Sequence, residues 1–235
     1  MSTKMKVAYA ATVLMVLNLG CSKSRPPVAQ AQTQSPCAAQ KLLKIAEADQ
    51  KAFGEYTTAS ANEGGLVRLA VRNESRSEEA AQIREKGAYF SFACLTQEYG
   101  RSTDLELTRD GARELIFQTG FAGADYGFMT VVPGVSLSDV TTETREVQYA
   151  LNYSPRSIES EARVEYYAFR KGRLIDGITY ESQLAMEVGT TYVLRSINFN
   201  GTDVLVAFQV LQTFEDGGVL IAWKLLRNYS APALN

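Results

Sequence analysis

Hydrophobic and polar positions along this 235-residue chain alternate between two periods, and each stretch of constant period predicts an element. Leu42, Ile45, Ala46, Phe53 and Tyr56 recur at helical spacing with Lys41, Lys44, Glu47 and Lys51 between them, so one amphipathic helix is expected over 37–59. Glu47 stands four residues before Lys51, the order that supports a helix. Gly64-Gly65 stops that segment, and Val67, Leu69 and Val71 then alternate with Arg68, Ala70 and Arg72 as a half-buried strand does. Ser75 with Glu78 makes a capping-box pattern for a short second helix ending at Gly87.

From Ala88 onward period two dominates. Phe90, Phe92 and Cys94 share one face of an expected strand, and Phe128 to Val132 reads as another. Val147, Tyr149, Leu151 and Tyr153 share a face of a third, with Tyr166, Tyr167 and Phe169 following on the next. Asp110-Gly111, Lys171-Gly172, Asn200-Gly201 and Asp216-Gly217-Gly218 punctuate these runs, and Asn-Gly between strand formers is the strongest short hairpin signal. A strand, a tight turn and a strand pair antiparallel. Near the end, Val204, Val206, Phe208 and Val210 line one face while Leu205, Ala207 and Leu211 line the other, which predicts a central strand covered on both sides. Trp223 shares a face with Val219, Ile221 and Leu225. The expected fold class is α+β: an N-terminal helix packed on a largely antiparallel, meander-like β-sheet that could curl into a partly closed barrel.

The first forty residues follow a different logic. Lys4 and Lys6 lead into the mostly apolar run Val7 to Leu19, too short for the ~20 residues a membrane-spanning helix needs but suited to an export signal. The run ends at Gly20-Cys21, and polar Ser22, Lys23 and Ser24 follow at once. This pattern resembles the signal of bacterial lipoproteins. The resemblance implies cleavage before Cys21, a diacylglycerol on its sulfur and an acyl chain such as palmitate on its amine, with Ser22 favouring the outer membrane. Two or three acyl chains anchor stably where one binds marginally. Residues 22–36, "SKSRPPVAQAQTQSP", hold three prolines and no aromatic residue, a composition that reads as a tether. The organisation expected is a signal peptide at 1–20, a lipidated cysteine with its tether at 21–36, and one α+β domain at 37–235. "TYVLRSI", "DVLVAF" and "AWKLL" near the C-terminus are similar to the C-terminal part of exported bacterial proteins of unknown function, which implies a shared structural unit only.

Composition narrows the partners. Removal of Lys4 and Lys6 leaves 22 basic residues against 26 acidic ones, so no basic patch points to nucleic acid. With Cys21 lipidated, Cys37 and Cys94 remain, and an oxidising compartment favours a disulfide between them. Inert free thiols, or a reactive Cys37 at the start of the expected helix, stay open as alternatives. The chain has no histidine, which excludes histidine triads and histidine-held zinc or haem. No nucleophile elbow, phosphate-binding loop or calcium loop occurs, and no cofactor is implied. The Asn-x-Ser/Thr sequons at Asn73, Asn152, Asn200 and Asn228 carry no meaning in a bacterial protein.

Three patterns could hold a ligand. Gly120, Gly123 and Gly127 lie among Phe121, Tyr126 and Phe128, where a loop backbone could approach a bound molecule or simply bend into a strand. Tyr149, Tyr153 and Tyr166 could form an aromatic platform for sugars or peptides, or line a core. Arg195, flanked by Val193 and Ile197, needs a carboxylate from Glu165, Glu181, Glu187 or Asp203 if it is buried, or marks an anion site. The function expected is a membrane-anchored envelope lipoprotein acting as a non-catalytic binding module for a protein, polymer or small ligand. A carrier with a barrel cavity among Tyr149, Tyr166 and Trp223, or a histidine-free hydrolase with two convergent carboxylates, are the rivals. With no histidine and with bonded cysteines, no ordinary group titrates between about pH 5.5 and 8, so folding stability is expected to be flat there.

Overall fold

Strands Thr191–Asn198 (β9), Thr202–Thr213 (β10) and Val219–Tyr229 (β11) form the centre of the molecule, and every residue of β9 is buried. A computed structural model describes residues 42–57, 63–72, 87–100, 102–120 and 125–235, all within one compact unit. In it Gly64–Leu69 (β1) and Phe128–Val132 (β5) close the two flanks of a five-stranded antiparallel sheet, ordered β1-β11-β10-β9-β5. Asn200, at φ +59°, and Gly201 turn β9 into β10, a backbone conformation that asparagine tolerates.

A second antiparallel sheet runs in the order Tyr89–Phe90 (β2), Leu105–Arg109 (β3), Leu115–Gln118 (β4) and Gln183–Ala185 (β8). It covers one face of the large sheet. Phe90, Leu105, Leu107 and Phe117 pack there on Leu194, Val206, Phe208 and Ile221. The other face is covered by helices Arg145–Asn152 (α2) and Glu159–Arg170 (α3) and by the hairpin Arg173–Ile175 (β6) with Ile178–Tyr180 (β7). Val147, Ala150, Ala162, Phe169 and Tyr180 meet Phe128, Val193, Leu205 and Ala222 in this second core. Covering both faces explains why β9 and β10 read as nearly continuous apolar runs, and each fully buried Val, Leu or Phe contributes ~1.5–3 kcal/mol.

A mixed, sheet-rich architecture with antiparallel pairing agrees with the sequence reading; several local expectations do not. The sheets remain open and separate, with no closed barrel among the described residues. The meander holds for β9-β10-β11 and for β2-β3-β4, whereas β1, β5 and β8 pair with strands distant in sequence. Among the described residues the N-terminal helix runs over Glu47–Ala52 (α1), followed by a 3-10 turn at Gly54–Tyr56; neither buries a residue, and Ala46 before the helix is extended. Residues 37–41, with Cys37, and the capping box Ser75/Glu78 lie outside the described residues. Gly64-Gly65 begins β1 instead of ending a segment. The strand expected through Phe92 and Cys94 stops at Phe90, after which the chain turns.

The two tyrosine-bearing strands are helices. "EVQYALN" satisfies both periods, since Val147, Tyr149 and Leu151 alternate while Val147, Ala150 and Leu151 are spaced i, i+3, i+4. The polar positions decide: Arg145, Gln148 and Asn152, exposed at i, i+3 and i+7, form the outer stripe of α2. Ala162 and Phe169 form the inner stripe of α3 with half-buried Glu165 and Tyr166. Lys171-Gly172 ends α3 and makes no hairpin; the turn is Asp176-Gly177, where φ of +51° and +79° at successive residues matches a type I′ hairpin.

Candidate functional site

Of the residues singled out for ligand binding, Tyr149, Tyr153, Tyr126, Tyr166 and Arg195 are placed, and Phe121 lies outside the described residues. They fall into three separate groups. Tyr149 and Tyr153, at the end of α2, join Phe128, Phe169 and Tyr180 in an aromatic cluster where Phe128 stacks on Phe169 at 4.3 Å and Tyr149 meets Tyr180 at 4.8 Å. The Arg173 guanidinium lies over the rings of Tyr149 and Phe169 at 5.9 and 5.6 Å. Tyr153 donates its hydroxyl to Glu165. Burial, with that carboxylate beside it, raises the Tyr153 phenol far above its ordinary value, and burial also raises Tyr149 and pushes Tyr180 up to about 12. These phenols are neutral donors across the physiological range, suited to hydrogen bonding and not to proton abstraction.

Tyr126 and Tyr166 form the second group, edge to face at 5.6 Å, with Phe199 against Tyr126 at 5.1 Å. Tyr166 donates to the Gly120 carbonyl, and a Cβ at Gly120, whose φ is +76°, would fall 2.3 Å from the Tyr166 ring. The close approach permitted by this glycine is therefore made by the chain's own tyrosine. Gly123 lies outside the described residues. Arg195 is the third group: buried in β9, it donates from Nε and NH2 to the two Asp203 carboxylate oxygens at 2.6 and 2.9 Å and from NH1 to the Ala150 carbonyl at 2.9 Å. The Tyr229 ring covers it at 3.3 Å. Its fork is engaged, and it ties α2 to the sheet as a structural ion pair.

Beside the first group lies a cavity of about 340 Å³, between α2 and the β6–β7 hairpin. Tyr149, Tyr180, Ile175 and Ile178 give it apolar walls, and Arg145, Gln148, Asn152 and Asp176 a polar rim. Arg145 braces it by donating to the Asp176 carbonyl at 2.6 Å. An apolar surface with a few convergent polar groups is the usual makeup of a small-ligand site. Tyr149 is the sequence-selected residue that lines this cavity; the others depend on helix α2 and on the Asp176-Gly177 turn, whose Asp-Gly signal was present in the sequence. The carrier cavity expected among Tyr149, Tyr166 and Trp223 does not form, because Trp223 belongs to the inter-sheet core and the two tyrosines to the helix-side core.

Two carboxyls passed over by the sequence reading converge at the end of the inter-sheet core. Asp104 and Asp125 are both buried and share the Ser196 hydroxyl, which lies 2.6 Å from Asp104 Oδ1 and 3.5 Å from Asp125 Oδ1. Burial pushes Asp104 up to about 6 and Asp125 up to about 7, the Asp104 charge adding to the rise at Asp125. Both carboxyls are perturbed groups whose raised values fall within the window where no ordinary group titrates, so they bear on the expected flat stability profile. No protein-family model, curated protein or solved structure matches the chain.

Proposed function

We propose that the chain is a lipid-anchored protein of the bacterial envelope whose domain is a non-catalytic binding module, with the cavity between α2 and the β6–β7 hairpin as its ligand site. The cavity carries this reading. Its walls are aromatic and aliphatic, its rim holds neutral amides beside one arginine and one aspartate, and its phenols stay protonated. Such a surface suits a short peptide or a sugar unit of an envelope polymer. The signal-like residues 4–24 support delivery to the membrane, and the tether composition supports reach from it. A hydrolase is less well supported: its two convergent carboxylates exist in Asp104 and Asp125, but both are buried.

A photoreactive residue in place of Gln148, on the rim, tests the site in growing cells. A discrete adduct is expected from Gln148 and none from Glu215, an exposed residue of the β10–β11 turn. Equal adducts from both positions, or none from either, would remove the cavity as the ligand site.

A further inference from the structure

Asp104 and Asp125 are two buried carboxyls set on one hydroxyl, that of Ser196. Asp104 accepts from Phe92 N–H at 2.6 Å, Ser91 Oγ at 3.2 Å, Ser196 Oγ at 2.6 Å and Asn198 Nδ2 at 3.0 Å. Asp125 accepts from Gly120 N–H at 2.8 Å, Thr119 Oγ1 at 3.0 Å and Gly127 N–H at 3.0 Å, and its Oδ1 also faces Ser196 Oγ at 3.5 Å. Ser196 has one hydroxyl hydrogen and two carboxylates within reach. The shorter contact takes it, so the contact with Asp125 becomes a hydrogen bond only when Asp125 carries a proton and donates it to Ser196 Oγ. Asn198, whose amide belongs to the same cluster, repeats the deficit: its Oδ1 is a buried acceptor without a donor. No lysine or arginine among the described residues pairs with either carboxyl, and no third carboxylate joins them as a metal-ligand group.

We propose that Asp104, Ser196 and Asp125 form a proton-binding site at the boundary of the two sheets, which relieves the repulsion between its carboxylates in acid and releases its proton as the pH rises through neutrality. The placement gives the site its mechanical role. Asp104 leads into β3 of the four-stranded sheet, whereas Asp125 leads into β5 and Ser196 sits in β9 of the five-stranded sheet. With the proton bound, Asp125 donates to Ser196, which already donates to Asp104 across the layer boundary, and one of the two facing charges is gone. Without it, two negative charges face each other in a buried space where the hydrogen-bond partners among the described residues are uncharged. Ser91 and the amides of Phe92 and Ala93 face Asp104 from beyond β2, and Ser196 and Asn198 face it from β9. Thr119, Gly120 and Gly127 face Asp125 from its own connection, and the nearby titratable group of α3 is the Tyr166 phenol, itself raised by burial. The reaction is the transfer of one proton between solvent and a carboxylate oxygen, with no other bond made or broken.

The sign follows from linkage. An unfolded aspartate holds its proton only below about pH 4, while these native groups hold theirs to about 6 and about 7. Between those limits the native state binds more protons, so stability is greatest in acid, falls as pH rises through the native values, and levels off above them. One proton held to about pH 7 raises the unfolding constant roughly 100-fold between pH 5 and pH 8.

Urea unfolding of the full-length chain at pH 5 and pH 8, with a chelator present, reads this directly. The roughly 100-fold change is expected in the native protein and at least tenfold less of it in Asp125→Asn, whose amide cannot titrate. A flat native profile, or an undiminished change in Asp125→Asn, would overturn the proposal. If that variant does not fold, carbon-13 titration of the native side-chain carboxyls decides: a midpoint between pH 5 and 8 supports the site, and midpoints all below pH 5 overturn it. Restoration of pH 5 stability at pH 8 by added calcium or magnesium would also overturn it, by making the pair a cation site.

Discussion

Removal of the carboxylate from the buried ion pair is the sharpest perturbation of the helix-bearing face. Arg195 and Asp203 side chains are 1% and 3% exposed, so Asp203→Asn leaves a guanidinium enclosed, held by the Ala150 carbonyl and the Tyr229 ring. A buried charge stripped of its partner destabilises by about 3–5 kcal/mol, against a total of ~5–15 kcal/mol for an ordinary domain. At ~2–4 °C per kcal/mol for a domain of this size, the melting temperature is expected to fall by roughly 10 °C. The double variant Arg195→Met with Asp203→Leu removes both charges and is expected to recover most of that loss, because desolvation of the pair offsets most of its attraction. Glu159→Gln is the comparison: it breaks the Arg163–Glu159 pair on α3, about half exposed on both sides, and is expected to change stability by less than ~0.5 kcal/mol. Urea unfolding of the native protein, Arg195→Met, Asp203→Leu and the double variant gives the coupling energy from a double-mutant cycle. A loss below ~1 kcal/mol in Asp203→Asn, or a double variant no better than the worse single one, would refute the reasoning.

Two further outcomes test other parts of the account. A Cβ at Gly127 would lie 2.3 Å from Thr119 Oγ1 and 2.9 Å from the Arg195 carbonyl, so Gly127→Ala must displace a donor to Asp125 and is expected to cost ~1–3 kcal/mol in urea unfolding. Gly111→Ala, with nothing within 4 Å, should stay within ~0.5 kcal/mol. Cys37 lies outside the described residues; we expect peptide mapping without reductant to find it linked to Cys94, a loop closure worth on the order of 4 kcal/mol in the chain-entropy model. Recovery of Cys37 as an alkylatable thiol in the mature protein would rule that pairing out.

How much of this was legible depended on how many periods a segment satisfied. Val204 to Val210 admits one reading, and the buried central strand with its Asn200-Gly201 turn stands as expected. Val147 to Tyr153 admits two, and only the polar stripe Arg145, Gln148 and Asn152 separates helix from strand. The error carried over to the site, because the cavity depends on which α2 residues share a face. Arg195 was readable: a charge among alternating apolar residues demands a partner, and Asp203, diagonal to it on the strand after the Asn-Gly turn, was among those considered. Asp104 and Asp125 were not. Asp104 follows polar Ser102 and Thr103 in "STDLEL" and Asp125 sits in the small-residue stretch "AGADYG", and a carboxylate in either setting reads as part of a solvated loop. Their burial is made by β9 folding Ser196 and Asn198 over them from residues more than seventy positions away, a tertiary contact with no local signature.

The central claim is that this domain works at a membrane surface, held there by lipid on Cys21, and growth of the producing bacterium with a labelled fatty acid tests it most directly. Label is expected in the native protein and absent from Cys21→Ala, which should be released from the membrane fraction. Equal labelling of the two proteins, or no label in the native one, would contradict the account.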